Sequence, residues 1–162
     1  QCVNMIEIDA TDARLLDLMQ QDASLSNQAL ADAAHVSPAT ALRRIKRMVD
    51  SGLVEKQTAL LALEATGGLN AIVEITLDRQ GDEHAKLFEA AAVADEAVQQ
   101  CYRVTAGPDF VLVLWVRDMP AYQALVERLF TQNANVRTVK AFFASKRSKF
   151  DPRVPAMLMV KR

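Results

Sequence analysis

Residues 37–52, Ser-Pro-Ala-Thr-Ala-Leu-Arg-Arg-Ile-Lys-Arg-Met-Val-Asp-Ser-Gly, admit few conformations other than a single amphipathic helix. Ser37 is a natural N-cap, because its hydroxyl can accept from an orphan amide of the first turn. Pro38 suits the first helical position, where no amide donor is needed. Gly52 stands just past the last turn, where chains commonly turn left-handed. At about 100° per residue, Pro38, Ala41, Leu42, Ile45, Met48 and Val49 fall on one arc. Thr40, Arg43, Arg44 and Arg47 fall on the opposite arc, with Lys46 on its flank. One face is expected to dock on a small core and the other to carry guanidinium groups outward. Guanidinium forks match phosphate and the O6/N7 edge of guanine. In an isolated helix, however, a basic face is often merely solvated, so the preceding residues must decide.

Those residues predict two more helices. Asp9 can cap a helix from residue 10 to about 21, with Asp12 adding negative charge near its start and Leu15, Leu16, Leu18 and Met19 forming its apolar face. Ser26 can cap a second, short helix through Ala34, with Leu30 and Ala31 inward. Only His35 and Val36 then separate it from Ser37. Two short helices joined by so brief a turn, the second basic outside, form the helix-turn-helix signature. His35 itself is expected to be structural rather than a ligand. The carboxylates Asp12, Asp17, Asp22 and Asp32 lie on the other helices, so the module is dipolar and would present one face to phosphates. After Gly52, residues 53–55 and 59–62 read as two short strands around Lys56-Gln57-Thr58, a wing-like hairpin.

Composition limits the alternatives. Nineteen basic and 20 acidic residues give a net charge of −1, so nucleic-acid binding must use a local patch. The two cysteines, Cys2 and Cys101, are far apart and do not suggest a disulfide framework, which fits a reducing cytoplasm. The longest apolar run, residues 110–116, is too short to span a bilayer. No secretory signal is visible, no membrane partner is expected, and a short segment is expected to precede Gln1.

Beyond a hinge at Ala65-Thr66-Gly67-Gly68 the hydrophobic period changes from helical to alternating. Strands are predicted around 71–78, 97–105, 110–116 and 136–149, and helices over 82–94 and from Asp118-Met119-Pro120 onward. The order βαββαβ is that of a ferredoxin-like domain with an antiparallel sheet. The expected fold class is therefore α+β, a winged helix-turn-helix domain (1–56), a hairpin linker (57–68), a ferredoxin-like oligomerisation domain (69–150) and a tail (151–162). Residues 110–116 are apolar in both parities, and Phe142 and Phe143 put bulk on both sides. A sheet face left apolar needs a cover, and a second copy of the sheet is the economical one.

This arrangement resembles the Lrp/AsnC, or feast/famine, family of transcription regulators over nearly the whole chain, from Ile8 to about Lys149. The matching phrases are Ile8-Asp9, Asp12-Ala-Arg-Leu-Leu16, Ser37-Pro-Ala-Thr40, Leu42-Arg-Arg-Ile-Lys-Arg47, Gly52-Leu-Val54, Val73-Glu-Ile-Thr-Leu77, Cys101-Tyr-Arg-Val-Thr105, Asp109-Phe-Val-Leu-Val113 and Asp118-Met-Pro-Ala-Tyr122. The resemblance implies dimers whose paired recognition helices enter successive major grooves of double-stranded DNA, and higher assemblies such as octamers. Carried over by position, Ser37, Pro38, Thr40, Arg43, Arg44 and Arg47 would meet DNA, with Lys46 beside them. It also implies an amino-acid-like effector at a site lined by Tyr102, Thr105, Ala106, Gly107 and Asp109. That turn departs from the family pattern, because Pro108 removes an amide that could hold an effector carboxylate. Whether an effector binds, and which, stays open.

A different class, siroheme decarboxylases, looks like the same two-domain scaffold. Such an enzyme needs basic and imidazole groups in the C-terminal domain. The only histidines are His35, in the helix-turn-helix, and His84, at the start of a surface helix. No phosphate loop, metal-ligand spacing or nucleophile–base pair is recognisable, so neither a cofactor nor catalysis is expected. A helix pair used only for protein contacts is the third reading.

Overall fold

The computed structural model describes residues 6–79 and 81–161. Cys2 lies outside them. The chain divides into two compact units, one made of the residues up to Leu60 together with those from Lys149 onward, the other of Leu61–Ser148.

The first unit holds three helices, α1 (Ala10–Gln21), α2 (Asn27–Ala34) and α3 (Pro38–Asp50). Their starts follow from local chemistry. Asp9 and Asp12 form a reciprocal capping box, Ser26 Oγ accepts the Ala29 amide, and Ser37 Oγ accepts the Thr40 amide with Pro38 in the first turn. His35 ends α2 in the left-handed conformation, φ +57°, which bends the chain sharply into α3. Gly52 ends α3 at φ +79°; its amide donates to Val49 O and the Val54 amide to Met48 O. Leu15, Leu16, Met19, Leu30, Ala41 and Met48 are the heart of the shared core. Each large apolar side chain buried this way contributes roughly 1.5–3 kcal/mol.

Two expectations at the edges of this unit are corrected. No hairpin forms over residues 53–62; the chain there is unpaired, and residues 55–62 are exposed. Lys56-Gln57-Thr58 contains none of the residues that readily adopt the positive φ of a tight hairpin turn. The stretch 151–161, expected as a separate tail, instead packs along α1 through a short 3-10 turn, Ala156–Met159, whose Ala156 joins the three-helix core.

The second unit begins with a single helical turn, α4 (Leu63–Thr66). It continues as β1 (Leu69–Leu77), α5 (Asp82–Ala94), β2 (Val98–Arg103), β3 (Phe110–Val116), α6 (Met119–Leu125) running on as a π-helical turn (Val126–Thr131), and β4 (Val136–Phe143). The strands lie in the order β2-β3-β1-β4, all neighbours antiparallel, which is the ferredoxin-like arrangement. β4 was expected to reach Lys149 but ends at Phe143. Its one neighbour is β1, and the Ala144 amide makes the last rung to Asn70 O, at the start of that strand.

The helices cover one face, where Val73, Ile75, Phe110, Leu112 and Leu114 pack on Phe88, Leu125 and Phe130. Register places Ile72 opposite both Val113 and Phe142, Glu74 opposite Val111 and Lys140, and Trp115 opposite Asn70. These residues share the other face. Ile72 and Phe142 are exposed, and Val111, Val113 and Trp115 are half-buried. The open face is thus apolar at one end and polar, through Glu74, Lys140, Thr76 and Thr138, at the other.

Candidate nucleic-acid interface

The start of α3 is tied down by a small polar network. Ser37 Oγ caps the Thr40 amide at 3.2 Å and donates to Thr40 Oγ1 at 2.9 Å. Asn27, in the first turn of α2, donates its side-chain amide to Pro38 O at 2.9 Å. Thr40 is therefore partly used within the helix start, while Ser37 and Pro38 stay exposed.

The arginines do not all point outward, which corrects the expected helix face. Asp12 on α1 is only 1% exposed. Its Oδ1 accepts from Arg44 Nη1 at 2.9 Å and its Oδ2 from Arg47 Nη2 at 2.6 Å. The same Arg44 nitrogen reaches Asp9 Oδ2 at 2.7 Å. The Asp12 amide and then the Arg44 guanidinium hold the Asp9 carboxyl below the usual carboxylate range, and Asp12 and Asp9 raise Arg44 in turn. Two carboxylates and two guanidiniums form a neutral cluster joining the start of α1 to the middle of α3. Arg44, with 22% of its side chain exposed, is a cross-brace. Arg47, at 46%, meets Asp12 through one amino group and keeps the rest of its fork toward solvent.

The physical cause is the rotational phase of α3. Ala41 and Met48 are fully buried and Ile45 partly, but Leu42 is 59% exposed and Val49 is also exposed. The buried stripe is turned toward Arg44, and the outward stripe carries Ala39, Leu42, Arg43 and Lys46. Arg43 makes none of the ion pairs found among the described residues, and Lys46 has only an exposed i,i+4 neighbour, Asp50, at 3.6 Å. Sequence reasoning missed Leu42 and Ala39 as outward positions. The signal was available in Asp12, a carboxylate in an otherwise apolar helix face that needs a cationic partner when buried.

The expected effector residues lie together on one edge of the sheet domain. Tyr102 is exposed on β2 and donates to Gln100 Oε1 at 2.9 Å. Thr105, Ala106 and Gly107 form an exposed turn. Asp109 is committed to the fold, since its Oδ2 accepts the Leu77 amide at 2.7 Å and its own amide donates to Ile75 O at 2.8 Å. It pins the turn to the end of β1. Two open grooves elsewhere in the domain, one beside Asp95 and Arg128 and one beside Asp78 and His84, are lined by other residues. Among the described residues no helix is long and apolar enough to cross a membrane.

Comparison with known proteins agrees with this geometry. Residues 8–55 match the winged helix-turn-helix DNA-binding domain, and residues 70–154 match the Lrp/AsnC ligand binding domain. An HTH-type transcriptional regulator of Haemophilus influenzae is 31% identical, the match covering 91% of this chain and 88% of that one. The DNA-binding transcriptional activator DecR of Escherichia coli K12 is also 31% identical, over 91% of this chain and 98% of its own. A Neisseria meningitidis transcriptional regulator solved as a complex with L-Met is 27% identical and superposes with a TM-score of 0.86, covering 94% of this chain and 99% of its own. These relatives are regulators, which sets aside the siroheme-decarboxylase-like reading. The chain belongs to the Lrp/AsnC family of DNA-binding transcription regulators.

Proposed function

We infer that this regulator reads DNA through the outward stripe of α3, working as a homodimer or higher oligomer. Arg43 and Lys46 supply the outward positive charge, Lys46 sharing its own with the exposed Asp50, and Arg47 adds the exposed part of its fork. Arg43 is placed to take a guanine edge, and Leu42 to pack on a thymine methyl. Ser37 and Pro38, at the exposed start of the helix, sit against the backbone. Arg44 acts indirectly, holding α3 against α1. The observation that carries this reading is the division of the arginines: Asp12 neutralises Arg44 and part of Arg47, whereas Arg43 makes none of the ion pairs found among the described residues.

Dimerisation through the open sheet face is supported by Ile72 and Phe142, which are large, apolar and exposed on it. The turn 105–109 with Tyr102 is the effector site we favour, since Tyr102 and residues 105–107 are exposed together beside the outer strand β2. The relative solved with L-Met makes an amino acid the first ligand to test. Selection of bound genomic fragments, repeated with and without a panel of amino acids, tests binding, operator and effector together. Recovery of no enriched sequence would remove sequence-specific reading by α3.

A further inference from the structure

The ridge of α3 that carries Arg43 continues, one turn on, to Arg47, with Lys46 beside both. Like charges so spaced repel, and a long exposed side chain among them would spread over many rotamers. Arg47 is held instead. Its Nη2 donates to Asp12 Oδ2 at 2.6 Å, a short charge-assisted bond.

The carboxylate beneath it is itself fixed. Asp12 is 1% exposed, its Oδ2 also accepts the Asp9 amide at 3.1 Å, and its Oδ1 accepts from Arg44 at 2.9 Å. Asp9, which caps α1, accepts from the same Arg44 nitrogen at 2.7 Å. The anchor under Arg47 is thus built from the start of α1.

That anchor takes one corner of the guanidinium. Nε and Nη1 of Arg47 make none of the hydrogen bonds found among the described residues, and 46% of the side chain is exposed. An arginine tied at one amino group presents its remaining donors in a fixed plane, which suits the oxygens of a phosphate. Position along the helix selects this ligand over a base. In helix-turn-helix proteins the N-terminal residues of the second helix meet base edges, whereas Arg47 stands in the last turn of α3.

We propose that Asp12, too buried to touch DNA, is a positioning residue for DNA binding, holding Arg47 by Nη2 so that the rest of its fork is aimed at a backbone phosphate before the duplex binds. The proposal rests on the reading of α3 as the DNA-contacting helix. By charge alone, removing a carboxylate from beneath a basic ridge strengthens DNA binding. With Asp12 as the anchor its removal weakens binding, because Arg47 must then be ordered at the moment of contact.

The test is a double-mutant cycle in the full chain, wild type, D12N, R47A and D12N/R47A, with R47K and R43A alongside. Each is titrated by fluorescence anisotropy onto a selected genomic duplex over a range of NaCl concentrations, at a temperature where circular dichroism shows it folded. D12N should bind about 2- to 12-fold more weakly than wild type, the cost of ordering one long side chain, with an unchanged log K versus log[salt] slope. R47A should weaken binding and make the slope shallower by about 0.9, the share of one phosphate contact. In the R47A background D12N should have no further effect, since the anchor then has nothing to position. R47K keeps the charge but lacks a planar fork to span carboxylate and phosphate, so it should lose affinity as D12N does. R47K leaves the buried carboxylate in place and decides the matter even if D12N does not fold. D12N affinity at or above that of the wild type overturns the proposal. So does an equal D12N loss with and without Arg47, which would assign the effect to the packing of α1 on α3. Wild-type affinity in R47K, or a wild-type slope in R47A, overturns it too. Any of these results alongside weakened binding by R43A leaves the reading of α3 intact. A wild type that binds no duplex removes that reading and the proposal with it.

Discussion

Arg44 Nη1 lies 2.9 Å from Oδ1 of Asp12, and this contact turns an arginine of α3 inward. Asp12 is buried on α1 and also accepts the Asp9 amide at 3.1 Å, so its charge is matched on every side. Asp12→Ala removes the buried carboxylate but leaves Arg44 on Asp9 and Arg47 half-exposed, so it should lower the stability of the DNA-binding unit by about 1–3 kcal/mol in urea unfolding followed by circular dichroism. Arg44→Ala should destabilise in the same direction, because it takes one of the two guanidiniums from the buried Asp12. An unchanged midpoint in both variants would show the cluster to be energetically idle.

Gly68 precedes β1 against the ring of Trp115. A Cβ added there would stand 2.4 Å from the indole, closer than any real contact. Gly68→Ala should displace the ring and destabilise the sheet domain by about 1–3 kcal/mol. Trp115 is the chain's single tryptophan, so its emission maximum reports the shift directly. An unmoved maximum together with wild-type stability would refute this packing.

Acid should weaken the sheet domain through Asp95. Arg128 donates to both oxygens of this carboxylate, at 2.6 and 2.9 Å, and holds it well below its ordinary value, with the Ala97 amide helping and burial opposing. A carboxyl depressed in the folded state binds protons more readily when unfolded. Its stabilisation is therefore complete above the unfolded value of about 4 and is lost as pH falls through the lower folded value. Asp95→Asn should reduce stability at pH 7 and flatten its decline below about pH 4. Parallel acid limbs for the wild type and the variant would assign the loss to other groups.

Much of this was legible in the sequence because it is local. Asp9, Ser26, Ser37, Pro38 and Gly52 mark helix ends by chemistry within four residues, and the change of period after Gly68 marks the sheet. The phase of α3 was not legible, since Leu42 and Val49 look like core until Asp12, on another helix, claims Arg44. Thr40 likewise turns out to be engaged with Ser37. The C-terminal segment was missed because Ala156, a partly buried Val160 and a few bonds from α1 side chains to its backbone leave no hydrophobic pattern. The end of β4 depends on where β1 begins, which β4's own residues do not record.

The open sheet face yields a clean assembly test. Ile72 and Phe142 are paired across β1 and β4 and both are exposed. Ile72→Asp places a charge at the centre of the apolar end, and should shift the protein to monomer in sedimentation velocity at micromolar concentration without unfolding it. If Ile72→Asp sediments as the wild type does, the face is not the dimer contact.

The reading surface of α3 is defined by which arginine meets DNA. The most direct measurement is a gel-shift comparison of wild type, Arg43→Ala and the charge-preserving Arg43→Lys on a selected genomic fragment. Loss of the guanidinium fork should cost about 1–3 kcal/mol, or roughly 5- to 150-fold in affinity, at unchanged thermal stability, with Arg43→Lys recovering only part. Wild-type affinity in Arg43→Ala would contradict the assignment of the outward stripe of α3 as the reading surface.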